Sequence, residues 1–258
     1  MTDLEDDLKL ALELADIADR VTMARHGAHD LVIETKPDAT PVTESDKAAE
    51  LAIRERLAVA RPDDAVIGEE FGSQESGATR EWIIDPIDGT KSYLRAMPTW
   101  TTLIALRIDG EIAIGVVAMP ALGKRWWALR GGGAFADGKQ IHVSTVTELE
   151  HAHMGWSGIE DWDAIGRSDQ LLKLARSVWR TRGVGDAWQY MLLAEGVLDI
   201  ATDPEATLWD LAAPSIVVEE AGGHFTGWDG KPGPASGSGL ATNGPLHASV
   251  QAILGSGS

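Results

Sequence analysis

One string, Trp82-Ile83-Ile84-Asp85-Pro86-Ile87-Asp88-Gly89-Thr90, constrains this chain more than any other. Its apolar start reads as a buried strand, and the run ends in two aspartates separated by a Pro-Ile step. Pro86 fixes its own φ and removes a ladder donor, so the chain is expected to turn there. Both carboxylates then converge at the strand end, with the Ile87 main-chain carbonyl between them. Oxygen ligands of this kind suit Mg²⁺. Gly89 and Thr90 follow with backbone N–H groups where a helix could start, a natural place for a phosphate. A cation site and an anion site are thus expected side by side.

At 258 residues the chain has room for one large domain or two intimate lobes, and a hydrophobic fraction of 44% supports a substantial core. Its net charge of −18 argues against nucleic acid or an anionic membrane surface as a partner. The same charge repels phosphate esters unless bound divalent cations reverse the sign locally. Clustered carboxylates are the means by which an acidic protein could attract an anionic substrate. No apolar stretch approaches the roughly 20 residues needed to span a bilayer. The acidic start, Met1-Thr2-Asp3-Leu4-Glu5-Asp6-Asp7, lacks the basic region of a signal peptide. Without cysteine there is no disulfide framework and no thiolate metal site. The cytoplasm is the expected location.

Apolar residues at helical spacing predict a helix from Leu4 to about Arg25. Pro37 and Pro41 keep helix out of the polar segment from Thr35 to Thr43. Thr43-Glu44-Ser45-Asp46 opens a second helix to about Ala60, and a short strand, Ala65 to Gly68, delivers Glu69 and Glu70 at its end. Thr101–Arg107 and Glu111–Met119 flank Asp109-Gly110, a hairpin signal. Lys124 to Leu129 continues the sheet. The second half alternates: a strand near His153, a helix near Asp169 to Arg176, a strand over Val178–Thr181, a helix near Trp188 to Glu195, a strand over Val197–Thr202. A last helix is expected from about Asp210 to Ala221, closed by Gly222-Gly223, with a loop from Pro232 to Gly239. The pattern is that of a layered α/β protein with a meandering sheet in its first half.

Acidic residues fall at element ends in several places: Glu69 and Glu70, Asp85 and Asp88, and Asp210. Asp210 could simply cap a helix, Glu69 and Glu70 could lie in a solvated loop, and Asp85 and Asp88 could shape a turn. Their joint occurrence with Gly89-Thr90 favours a cation, because gathered carboxylates repel one another without one. Gly68-Glu69-Glu70, Asp85-Pro86-Ile87-Asp88-Gly89-Thr90, Trp209-Asp210 and Glu220-Ala221-Gly222-Gly223, in this order across nearly the whole chain, resemble the inositol-monophosphatase-like phosphatases. These are Mg²⁺-dependent, lithium-sensitive phosphomonoesterases.

That resemblance implies an α/β (α+β) fold, a layered α-β-α-β-α sandwich of the inositol monophosphatase and fructose-1,6-bisphosphatase type. It implies a single catalytic domain over 1–258, with a metal- and phosphate-binding lobe to about 145 and a substrate-selecting lobe from about 146. It further implies about two or three Mg²⁺ ions per site, held by Glu69, Asp85, the Ile87 carbonyl, Asp88 and Asp210. Thr90, partnered by Asp46, would orient the attacking water, Glu70 would tune it, and Gly89 and Thr90 would meet the phosphate. Lys36 matches a lysine on a mobile loop over the site. No metal-ligand position departs from the pattern. A small phosphate monoester is the implied partner, and a homodimer the implied assembly.

The substrate is left to the second lobe. Trp179-Arg180-Thr181-Arg182-Gly183-Val184-Gly185-Asp186, Leu193-Ala194-Glu195-Gly196 and Asp203-Pro204-Glu205 are most similar to the actinobacterial histidinol-phosphatase branch. Arg182, Asp186, Asp203 and Asp210 fall where such enzymes contact the rest of the substrate. Histidinol phosphate carries a cationic amine, and Asp186 and Asp203 lining the pocket would suit it better than they would suit a neutral polyol. A broad-specificity inositol-type phosphatase is the alternative, then a 3′-phosphonucleotide phosphatase, then an idle scaffold that retains the fold. Arg182 could instead pair with Asp186 and brace a loop. Trp126-Trp127 is expected in the core or at a subunit contact. His142, His151, His153, His224 and His247 lack metal-ligand spacing. Gly131-Gly132-Gly133 lacks the strand and lysine of a nucleotide loop and reads as a turn.

Overall fold

Leu10, Ala11, Leu14, Ala15 and Ala18 recur at helical spacing and are buried along one face of the first helix, α1 (Thr2–Met23). The computed structural model describes residues 2–36, 40–73 and 78–256. Two short strands, β1 (Ile33–Thr35) and β2 (Pro41–Thr43), pair antiparallel on either side of a segment whose Pro37 lies outside the described residues. Thr43 then caps α2 (Glu44–Ala60): its hydroxyl accepts the Ser45 N–H, and the Asp46 carboxylate accepts the Thr43 N–H at 2.9 Å.

Next come β3 (Ala65–Gly68), β4 (Gly72–Ser73), β5 (Arg80–Asp88) and the short helix α3 (Thr90–Leu94). The meander β6 (Thr101–Ile108), β7 (Glu111–Met119), β8 (Lys124–Leu129), β9 (Gly133–Ala136) and β10 (Lys139–Gln140) completes an eight-stranded sheet, ordered β10-β9-β8-β7-β6-β5-β3-β4. Only β3 and β5 run parallel in it. Asp109 and Gly110 both adopt positive φ (50° and 88°), as a tight two-residue hairpin requires.

Pro86 does not end its strand. β5 continues to Asp88 through a register shift between Asp85 and Asp88, and the Thr102 hydroxyl donates to the Pro86 carbonyl at 2.8 Å. A bulge tolerates the missing N–H, so the turn waits for Gly89, at φ 83°.

The second half supplies β11 (His153–Trp156), α4 (Ile159–Ala164), α5 (Ser168–Ser177), β12 (Arg180–Gly183), α6 (Asp186–Ala194), β13 (Ile200–Asp203), α7 (Leu208–Glu220), β14 (His224–Thr226), β15 (Gly239–Thr242) and α8 (His247–Leu254). Its five strands run β12-β11-β13-β15-β14. The strand expected at Val197 starts at Ile200, because the Val197 and Leu198 amides still close α6 on the Leu192 carbonyl. The strand expected at Val178 likewise begins two residues later, and α6 and α7 each begin two residues early.

Alternation along the central strands builds the layers. Trp82, Ile84, Ile104, Leu106, Ile114 and Val116 face α1 and α2. Ile83, Leu103, Ala105 and Val117 face the other way, onto α6 and α7. Those helices also meet Ala201, Phe225 and Ala241 of the five-stranded sheet. That sheet's far side packs Met154, Ile200 and Leu240 against α4, α5 and α8. The result is α-β-α-β-α. At Gly115, α7 lies so close to β7 that a Cβ would stand 2.7 Å from the Ala213 carbonyl oxygen. No helix of the described residues is long and apolar enough to cross a membrane.

Candidate active site

The site forms where the C-terminal end of β5, the turn after β3, and the first turns of α2, α6 and α7 meet. Asp85, Asp88 and Asp210 can each bring one carboxylate oxygen within 4.8 Å of the other two. Each also has a backbone reason to be there. Asp85 accepts the Ile87 N–H at 3.0 Å, across the bulge that Pro86 creates. Asp88 stands opposite Thr101 in the ladder and accepts its hydroxyl at 2.9 Å and the Ala187 N–H at 2.8 Å. Asp210 accepts the Thr207 N–H and hydroxyl through the same oxygen, at 2.6 and 2.9 Å. The capping duty considered for Asp210 is therefore real, but it occupies one oxygen and leaves the other for the cluster.

Burial, and then repulsion from Glu69, Asp88 and Asp210, raises the Asp85 carboxyl well above its ordinary range. Burial, followed by Asp186 and Asp210, does the same to Asp88. Asp210 is raised as well, chiefly by burial. Among the described residues no lysine or arginine pairs with any of the three. One buried and two half-buried carboxylates with no counter-cation from the chain fit a hard divalent ion.

Glu69 and Glu70 follow the Gly68 end of β3. Lys36 Nζ lies 2.7 Å from a carboxylate oxygen of each. Burial opposes the lysine's charge, yet its hydrogen bonds to Glu69 and Glu70 outweigh that and raise its pKa. Burial pushes the Glu70 carboxyl up to about 7, against the Lys36 hydrogen bond. Asp46, raised mainly by burial, accepts the Thr90 hydroxyl at 3.3 Å, and that hydroxyl also reaches the Ile87 carbonyl at 3.1 Å. The Ile87 side chain turns away to pack with Tyr93 and Trp100. Asp46, Glu69, Glu70, Asp85, Ile87, Asp88, Thr90 and Asp210 are thus gathered in one region.

A cavity of about 290 Å³ is bounded by Glu69, Asp85, Asp88, Gly89, Thr90 and Asp210. A second, of about 140 Å³, shares Asp88, Asp186 and Asp210 with it and adds Ser157, Asp161, Tyr190, Asp203 and Glu205. None of the side chains lining this second cavity is basic. Asp186, at φ 47°, stands so close to Gly89 that a Cβ there would be 2.7 Å from its carboxylate. Burial and then Asp210 raise Asp186 to about 6, against the pull of Lys91. Asp203 accepts the Tyr190 hydroxyl at 2.6 Å and the Gln189 amide at 2.8 Å, and burial raises it to about 7.

Arg182 stands apart. It lies exposed on the edge strand β12, donates to the Thr181 carbonyl, and lines neither cavity. It makes no ion pair with Asp186 either, so neither expected placement of this residue is observed. Sequence reasoning missed Thr101, Ala187 and Tyr190 as partners and Asp161 as a lining group, and it met Glu205 only within the Asp203-Pro204-Glu205 string. Only Thr101 had a local signal, as a hydroxyl opening the strand that pairs with β5. Elsewhere, Trp126 is buried with its Nε1 on Glu195, Trp127 stacks on Phe135, and His247 lies buried between Thr226 and Thr242. The Gly131–Gly133 turn donates its N–H groups to Glu220.

Residues 3–255 match the model of the inositol monophosphatase family. A histidinol-phosphatase of Streptomyces coelicolor is 53% identical, with 98% of each chain covered. One from Mycobacterium tuberculosis is 51% identical over 98% of this chain and 99% of its own. Among solved structures, an inositol monophosphatase from Zymomonas mobilis superposes with a TM-score of 0.87 at 30% identity, covering 97% of this chain and 98% of its own. With a carboxylate cluster at the end of β5 and a match along nearly its whole length, the chain belongs to the inositol monophosphatase family of phosphatases.

Proposed function

We propose that this protein is a Mg²⁺-dependent phosphomonoesterase that hydrolyses L-histidinol phosphate to L-histidinol and phosphate. The observation that carries the reading is a pair of cavities sharing Asp88, Asp186 and Asp210, one built around the carboxylate cluster and one walled by further carboxylates without a basic side chain. Histidinol phosphate has a dianionic end and a cationic amine end. An acidic wall rewards the amine and offers nothing comparable to a neutral polyol. The resemblance to histidinol-phosphatases at 53% and 51% identity supports the same choice.

Glu69, Asp85, the Ile87 carbonyl, Asp88 and Asp210 would hold the divalent cations. Bound there, such ions would supply charge to offset the phosphate oxygens and would lower the pKa of a nearby water. Thr90, its hydroxyl set by Asp46, orients the attacking water in line with the leaving oxygen. Glu70, next to the ligand Glu69, tunes that water. The N–H groups of Gly89 and Thr90 meet the phosphate. Lys36 closes over Glu69 and Glu70. Asp186, Asp203, Asp161 and Glu205 receive the amine end, and Arg182 would reach the substrate only if its edge strand is completed by a second copy. The reading takes the chain as one catalytic domain, with metal and phosphate groups before about residue 145 and the selecting wall after it. It includes a homodimer working in the cytoplasm.

The decisive measurement compares kcat/KM in Mg²⁺ for histidinol phosphate, inositol 1-phosphate, fructose 1,6-bisphosphate and adenosine 3′,5′-bisphosphate. A large preference for histidinol phosphate is expected, diminished in Asp161→Asn and Glu205→Gln. Equal values for histidinol and inositol phosphates would remove the assignment.

A further inference from the structure

Glu50 has no place in the chemistry above, yet its side chain is fully buried. One oxygen accepts the Glu70 N–H at 2.7 Å, and the other accepts the Phe71 N–H at 3.3 Å. Arg54, one turn further along α2, donates Nε to Glu50 at 2.7 Å and Nη2 to the Gly72 carbonyl at 2.5 Å. Its guanidinium also lies 5.9 Å from the centre of the Phe71 ring. Between them, the two side chains fasten both donors and acceptors of the turn that follows β3. Gly68 makes the approach possible, because a Cβ there would collide with the Glu50 carboxylate.

The spacing explains why one helix can do this. Asp46, Glu50 and Arg54 follow at intervals of four and so share a face of α2. Asp46 engages Thr90 from the first turn, while Glu50 engages the Glu70 amide from the second. A rigid helix face therefore sets the distance between two segments that reach the site from different strands. Charge sharpens the point. A buried anion beneath an already acidic cluster is unfavourable, and Arg54 is needed to offset it. A neutral acceptor could have closed the turn at lower cost, so the carboxylate's two strong, charge-assisted bonds point to a demand for rigidity.

We propose that Glu50 is a positioning residue for the metal centre, holding the turn that aims Glu69 and Glu70. The inference rests on the reading above that Glu69 ligates a divalent cation. Residues that orient ligands in this way commonly change metal affinity by about 10–100-fold when altered. Glu50→Gln keeps the shape but presents an NH₂ group to one of the two N–H donors. By calorimetric titration of Mg²⁺ into the metal-free protein, Glu50→Gln should raise the dissociation constant by roughly that factor. Its metal-free melting temperature should fall, because the buried ion pair with Arg54 is lost, and kcat should recover at saturating Mg²⁺. Arg54→Met, which keeps the carboxylate but loosens its anchor, should shift the constant in the same direction by less, and it decides the matter if Glu50→Gln does not fold. Unchanged Mg²⁺ affinity in the folded variants, or a lowered melting temperature with unchanged affinity, would overturn the proposal. A parent protein that binds Mg²⁺ but ignores histidinol phosphate would remove the substrate reading and leave this one standing. A parent that takes up no Mg²⁺ overturns both.

Discussion

At the start of β5, Asp7 and Asp64 sit beside Arg61 and Arg80; at its end, Asp85 and Asp88 sit beside Asp210. Asp7 accepts Arg61 at 2.8 Å and Arg80 at 2.7 Å, and Asp64 accepts Arg80 at 3.0 Å and the Trp82 indole at 2.9 Å. Every charge there is answered within the chain. At the other end, burial and mutual repulsion raise the carboxyls and no basic side chain intervenes. The two ends of one strand thus meet a carboxylate group that closes the structure and another that leaves it electrostatically open. A buried acid becomes informative about chemistry when its counter-charge is missing.

The sharpest way to break this contrast is Asp88→Asn. Hydrolysis should fall at least about a thousandfold, the scale of a lost electrostatic stabiliser. The metal-free protein should melt higher than the parent, because one repelling carboxylate is gone while the amide oxygen still accepts Thr101 and Ala187. Phosphate release and calorimetry check the two halves, and a lowered melting temperature would contradict the electrostatic argument.

Arg80→Met probes the closed end. Removing one partner of a buried network should cost about 3 kcal/mol in urea unfolding, with kcat unchanged. A smaller effect concerns Asp203, whose carboxyl is raised by burial from 3.8 to about 7. The folded protein keeps this proton after the unfolded chain has released it. Its contribution to stability is therefore complete below about pH 4 and is lost as the pH climbs to about 7. Asp203→Asn should flatten that part of the melting-temperature profile, and an unaltered slope would show that the proton resides elsewhere. The smallest change is expected for Lys36→Met. A partly exposed ion pair is worth about 0.2–1 kcal/mol, so Mg²⁺ should bind only a few-fold more tightly without the competing ammonium.

Legibility in the sequence followed the same divide. Asp85, Asp88, Thr90 and the Glu69-Glu70 pair lie at the ends of short apolar runs whose period betrays a strand, so their convergence could be expected from local pattern. The long helices α1, α2 and α7 and the Asp109-Gly110 hairpin were readable for similar reasons. Pro86 misled because a bulge absorbed what an ordinary ladder would have rejected. Asp161 had no local signal, since its meeting with Asp186 depends on how α4 and β13 pack. Glu50 was hidden for another reason: within an amphipathic helix it looks like any solvated glutamate, and only the turn folded beneath Gly68 reveals its task. Arg182 illustrates the reverse case, a residue placed by resemblance that a single folded chain leaves at an open edge.

The contact between Gly115 and α7 has a consequence for how damage travels through this molecule. The helix bearing Asp210 is seated on the sheet with room for a hydrogen atom and nothing larger. A single methyl group on β7, on a residue that takes no part in the chemistry, would lever that helix outward and draw Asp210 away from Asp85 and Asp88. A variant there would present itself at the bench as a fault in cation uptake, although its cause lies in the floor on which the helix stands.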